Sequence, residues 1–86
     1  MRIKVISDKV GVKSMEIFRN VNIFYIKIKN THGSGTLFVR FGKGDWFSIE
    51  AGKFEEFKGF GKNFEIESME FKGSEEGINY EVIYYT

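Results

Sequence analysis

The strongest constraint on this chain is a period-2 alternation written in β-branched and aromatic residues. Phe24, Ile26 and Ile28 fall on one parity, and Tyr25, Lys27 and Lys29 fall on the other. Leu37, Val39 and Phe41 likewise alternate with Thr36, Phe38 and Arg40. Side chains of a strand point to opposite faces in turn, so this pattern describes strands with one face in a core. The aliphatic inventory agrees: ten Ile and six Val stand against one Leu and one Ala, beside ten Phe. Such side chains lose rotamer freedom in a helix and fit a pleated surface.

Glycine-bearing turns divide the 86 residues into short segments. Strands are predicted over 22–29 and 36–41, joined as a hairpin through Asn30-Thr31-His32-Gly33-Ser34-Gly35, which is built from turn residues. A turn at 42–45 leads to a strand over Trp46–Glu50, with Phe47 and Ile49 on one face. Residues 53–60 are the best helical candidate, since Phe54, Phe57 and Phe60 recur every three positions. Gly52, Gly59 and Gly61 bracket that segment too tightly for more than about two turns. In 63–72, Phe64 and Ile66 share one parity while Met69 and Phe71 share the other, which predicts a bulge or bend near Glu67-Ser68. The last strand is read over 78–85, with Ile78, Tyr80, Val82 and Tyr84 inward. Ile83 and Tyr85 make its outer face apolar, an end expected to be covered. At the N-terminus, Ile3 and Val5 mark one short strand and 15–18 another. Residues 1–20 form peripheral strands or an arm.

The fold class is therefore all-β: a single small antiparallel β-sandwich or barrel of about seven to eight short strands, spanning 1–86 as one domain. No apolar run approaches the ~20 residues of a membrane helix, and no signal peptide opens the chain, so synthesis in the cytoplasm without secretion is expected.

Residues able to carry chemistry are sparse. With no cysteine there is no disulfide framework, thiolate metal site or thiol nucleophile. His32 is the only histidine and lies in a Gly/Ser turn more than ten positions from the nearest acidic residue. Glu50, Glu55, Glu56, Glu65, Glu67, Glu70, Glu75, Glu76 and Glu81 read as solvated strand faces and turns rather than a carboxylate pair or a spaced cation loop. The triplets Gly33/Gly35, Gly42/Gly44 and Gly59/Gly61 lack the further glycine and the helix that a phosphate cradle needs. No catalytic residue, metal, cofactor or small-molecule substrate is assigned, and the expectation is a protein without enzymatic activity.

A net charge of +1 conceals a partition: residues 1–43 hold nine Lys/Arg and two acids, residues 44–86 four Lys/Arg and ten acids, or about +7 and −6. Two readings follow. Basic and acidic strands pair within one monomer, as cross-strand charges do, or the basic face of one copy meets the acidic face of the next. Aromatics at nominally outer positions favour an interface, and the candidate residues are Tyr25, Lys27, Lys29, Phe38, Arg40, Trp46, Ile83 and Tyr85. On the predicted hairpin, Lys27, Lys29 and Arg40 with Tyr25 and Phe38 make a basic aromatic patch, and this opens the alternative of a single-stranded nucleic-acid-binding barrel. Trp46-Phe47 and Lys58-Gly59-Phe60-Gly61 also resemble pieces of the cold-shock domain, though ten residues separate them and the half that holds both is acidic.

From 23 to 85 the order of features resembles a pattern in small virion proteins of tailed bacteriophages. It runs Ile26-Lys27-Ile28-Lys29-Asn30, a glycine turn, Leu37-Phe38-Val39-Arg40, Phe47-Ser48-Ile49 with Gly52, a strand with Ile66 and Met69, and Tyr80-Glu81-Val82-Ile83. The resemblance implies a compact sandwich that decorates a capsid or lines a tail or neck. Its partners would be copies of itself or another protein of the assembly, and it would work without catalysis, incorporated into a virion.

Overall fold

The computed structural model describes residues 1–86 and contains eight strands and no helix. They are β1 (Ile3–Val10), β2 (Met15–Ile23), β3 (Tyr25–Asn30), β4 (Thr36–Phe41), β5 (Phe47–Glu50), β6 (Phe54–Lys58), β7 (Phe64–Gly73) and β8 (Ile78–Tyr85). One four-stranded sheet has the order β1-β8-β3-β6 and the other β2-β7-β4-β5. All pairings are antiparallel. Consecutive strands from β1 to β8 alternate between the sheets, except that β4 and β5 are neighbours in the same sheet. This eight-stranded, double-sheet order is that of a jelly roll. The all-β sandwich is as the alternation predicts, and the sheets do not close into a barrel.

The core lies between the inner faces. Ile26 and Ile28 of β3 and Ile78, Tyr80 and Val82 of β8 meet Leu37 and Val39 of β4 and Ile66, Met69 and Phe71 of β7. Phe71 packs edge-on to Tyr80 at 4.8 Å, and Phe18 edge-on to Tyr84 at 4.7 Å. At one end of the sandwich, Phe57 of β6 reaches Phe41 and Phe47 of the opposite sheet, at 5.3 and 6.1 Å.

Four local expectations are corrected. First, β3 and β4 are not a hairpin: β3 pairs with β8 and β6, β4 with β5 and β7. The turn-rich segment 31–35 carries the chain from one sheet to the other, so that both apolar faces look into the same core. Asn30 fixes this crossing. Fully buried, its amide donates to the carbonyls of Ile49 (3.0 Å) and Gly35 (3.3 Å), while Oδ1 accepts from the His32 N–H (3.0 Å). Gly35 sits at φ +77°, and a Cβ there would crowd the Ile78 side chain at 2.7 Å.

Second, the strand predicted to start at Asn22 starts at Tyr25. Asn22 and Ile23 belong to β2, and Phe24 alone makes the crossing. Third, the helical candidate is the edge strand β6, every residue of which is exposed; the three-residue spacing of its phenylalanines reflects Phe57 turning inward and Phe60 lying in the following loop. Fourth, the short strand marked by Ile3 and Val5 is eight residues long, Ile3–Val10; Ile3 and Val5 face outward on it, and Ile6 and Val10 face the core. Strand β1 offers apolar residues on both parities, and its unbroken pairing with β8 decides between them.

The phase change in 63–72 lies where the alternation places it, between the buried Ile66 and Met69. The ladder's own register shift is on the neighbouring strand, between Glu16 and Phe18. Opposite Glu67, Asn20 adopts φ +54°, a left-handed conformation that Asn tolerates. Both strands thus change phase together. Residues 1–20 supply β1 and much of β2, one edge strand of each sheet.

Candidate interaction surface

The outer face of the first sheet is assembled by register alone. Ile3 and Val5 of β1 stand opposite Tyr85 and Ile83 of β8, which in turn stand opposite Tyr25 and Lys27 of β3. Lys27 and Lys29 then stand opposite Glu56 and Phe54 of β6. Directly opposed residues share a face, so Ile3, Val5, Ile83, Tyr85 and Tyr25 form one contiguous apolar area. Its exposure is concentrated at β1: Ile3 is 66% and Val5 58% exposed. Tyr25 and Tyr85 pack ring on ring at 4.7 Å.

Beside this area the charges are balanced. Tyr25 donates its hydroxyl to Glu56 Oε2 at 2.6 Å, and Lys58 Nζ lies 3.8 Å from Glu56 Oε1. Burial, reinforced by the Glu56 hydrogen bond and charge, pushes the Tyr25 phenol up to about 12. The same bond, with help from Lys58 and Lys27, holds the Glu56 carboxyl below the ordinary glutamate range. Lys27 also lies over the Phe54 ring at 4.3 Å.

Phe38 and Arg40 belong to β4 of the other sheet, and Trp46 immediately precedes its strand β5. Arg40 makes a two-oxygen contact with Glu70 of β7, at 2.6 and 3.0 Å, and its guanidinium lies 4.6 Å from the Trp46 ring centre. Lys72 lies 4.2 Å from the same ring and 5.9 Å from that of Phe38. The eight candidate residues therefore form two groups on opposite outer faces: Tyr25, Lys27, Lys29, Ile83 and Tyr85 on one, and Phe38, Arg40 and Trp46 on the other. The basic aromatic patch expected of a β3–β4 hairpin does not form, because those strands lie in different sheets and each cation has an acidic or aromatic neighbour. Of the residues resembling a cold-shock platform, Trp46 has its ring engaged by two cations, while Phe60 is 91% exposed in the loop after β6, at φ +53°.

The remaining concavities are open. One of about 370 Å³ is lined by Phe41, Phe57, Phe64 and Ile66 with Glu65 and Glu67 at the phenylalanine-rich end. A polar one of about 520 Å³ includes Asp8, Thr31 and Tyr80. Burial, and then Asp8, raise the Tyr80 phenol above its ordinary value. His32 is half-buried in the crossing loop, with Nδ1 3.1 Å from Asn79 Nδ2. No group of three His, Cys, Asp or Glu side chains converges on a point able to hold a metal ion.

Ile3 and Val5 are the surface residues that sequence reasoning missed. Their signal was present as apolar residues on both parities of 3–10, which marks a strand with something to cover outside as well as inside.

No family model and no curated protein matches this sequence. Among solved structures the chain is similar to a de novo designed double-stranded beta-helix determined by solution NMR. The TM-score is 0.56 at 13% identity, over 98% of this chain and 99% of that one. The likeness supports the fold and carries no activity.

Proposed function

We propose that this protein is a non-enzymatic assembly module that works by self-association, a building block of a larger structure such as a virion. The observation that carries the reading is the exposed apolar area at the β1 flank, where Ile3 and Val5 stand in solvent beside Ile83, Tyr85 and Tyr25. Exposed contiguous apolar surface of this kind on a small domain marks a contact site. Its rim suits a second copy. A two-fold interface presents the same surface twice, so a patch of one charge sign would repel itself; here Lys27 and Lys29 are offset by Glu56 and Glu81. The same balance disfavours a polyanion, which requires a basic groove. Jelly rolls also build viral capsids, a fold-level analogy in keeping with the virion reading.

Sedimentation velocity on the full chain tests this. Association that strengthens with protein concentration is expected, and Val5→Lys should weaken it without altering the circular dichroism spectrum. A strict monomer up to several hundred micromolar refutes the reading.

A further inference from the structure

We infer that β1 is the contact itself: two copies join by antiparallel pairing of their β1 strands about a two-fold axis at Ile6, making one continuous eight-stranded sheet. The inference rests on the self-association proposed above and names its geometry.

The sandwich has four sheet edges, and β1 is the one left open to pairing. Natural edges are blunted by shortness, bulges or charge. Strand β5 has four residues. Strand β6 has five, three of them charged. Strand β2 is interrupted by its register shift and by the left-handed Asn20. Strand β1 runs eight residues in unbroken register with β8, without proline or bulge.

Its hydrogen-bonding phase can be read from the β8 side. Arg2 and Thr86 exchange both backbone bonds at 2.9 Å. Alternation then assigns the N–H and C=O groups of Lys4, Ile6, Asp8 and Val10 to β8, and turns those of Ile3, Val5, Ser7 and Lys9 toward the free edge. A partner strand must bond to that second set.

With the axis at Ile6, Ile3 bonds to the partner copy's Lys9 and Val5 to its Ser7, so every pairing uses groups that face the edge. On the core side, Lys4 stands opposite the partner copy's Asp8, and Asp8 opposite its Lys4. Charges on the inward face of an edge normally repel an incoming strand. Here they have opposite sign and lie two positions to either side of Ile6, so they refuse a general strand and accept an identical one. Ile6, half-buried against the core, meets its own copy at the axis and joins the two cores. Other registers in the same phase do worse. Moving the axis to Ser7 opposes Ile6 to Asp8 and Lys4 to Val10, and moving it to Val5 opposes Lys4 to Ile6.

Two measurements on the full chain test the geometry. The chain has no cysteine, so Ile6→Cys introduces a unique thiol. A directly opposed pair outside the hydrogen-bonded positions has Cα atoms about 4.5 Å apart, within disulfide range. Mild oxidation should convert most of that variant to a covalent dimer, whereas Val12→Cys, in the turn beyond the strand, should stay monomeric on a denaturing gel. In sedimentation, Asp8→Lys should raise the dimer dissociation constant roughly tenfold by opposing like charges twice. The swap Lys4→Asp with Asp8→Lys should restore it to within about threefold, since the two pairs are re-formed with reversed sign. A wild-type dimer that neither cross-links at position 6 nor responds to the charge reversal overturns the β1 geometry and leaves self-association standing; a wild-type monomer overturns both.

Discussion

Replacing Asn30 by Ala should cost this domain a large share of its stability, because one side chain holds the crossing between the sheets. Three backbone groups lose a partner: the carbonyls of Ile49 and Gly35 and the N–H of His32. A typical hydrogen bond nets ~1 kcal/mol, and a buried group left unpaired costs ~1–3 kcal/mol. The Ile49 bond is buried, while those to Gly35 and His32 are partly buried and open to replacement by water. Counting the first in full and discounting the others gives a loss of about 2–4 kcal/mol. A chain of this length has a total on the order of 4–13 kcal/mol. The melting temperature should fall by about 10–25 °C. Asn30→Asp is the sharper variant. It keeps an acceptor for the His32 N–H but turns a carboxylate toward two carbonyls, and should be at least as destabilising at neutral pH. Urea unfolding followed by Trp46 fluorescence, with the m value compared between variants, measures both. A loss below ~1 kcal/mol for Ala, or an Asp variant as stable as the wild type, refutes the role given to this side chain.

Burial of Tyr25, together with its hydrogen bond to Glu56, makes stability pH-dependent at both extremes. The Tyr25 phenol is raised to about 12, so the fold favours its neutral form; that contribution is complete below the ordinary tyrosine value and is lost as pH rises through about 12. The Glu56 carboxyl is lowered, so its contribution is present above the ordinary glutamate value and is lost as pH falls through the lowered one. In an ultraviolet titration, assigned by difference from Tyr25→Phe, Glu56→Gln should bring the Tyr25 midpoint down toward its ordinary value; an unmoved midpoint contradicts the assignment. Across the β3–β8 ladder, Lys29 stands opposite Glu81. Lys29→Glu should cost roughly 0.5–1 kcal/mol and Glu81→Lys should largely rescue it, whereas strictly additive losses would show the pair to be uncoupled.

The inner faces were legible because burial imposes period 2: Ile26, Ile28, Leu37, Val39, Ile78, Tyr80 and Val82 all lie where their parity places them. Partnership was not legible, because a turn-rich segment such as 31–35 serves a hairpin and a crossing between sheets equally well. The deciding residue, Asn30, reads as a turn former in sequence, yet it works as a buried side chain with partners 5 and 19 residues away. The candidate surface was divided for the same reason: once β3 and β4 separate, Arg40 and Lys27 lie on opposite faces. Ile3 and Val5 were legible as a strand but not as surface, because an edge strand with apolar residues on both parities has no inward side until its partner is known.

The charge partition takes its meaning from the topology. Every ladder in the two sheets joins a strand from β1–β4 to one from β5–β8. Ile3 meets Tyr85, Val21 meets Ile66, Ile28 meets Glu55 and Val39 meets Phe47, so the chain is one long hairpin folded over, with its apex in the turn after β4. That apex falls where the charge changes sign, between a half of about +7 and a half of about −6. The two arms attract, and pairing within either arm, including the β3–β4 hairpin that local turn chemistry permits, opposes like charges. Segregated charge therefore acts first as an instruction for strand pairing. It is largely satisfied inside the monomer, by Lys27 and Lys29 against Glu56 and Glu81 and by Arg40 against Glu70. A contact between copies must then draw on what the fold leaves unsatisfied: apolar area at Ile3 and Val5, and the open backbone edge beside them.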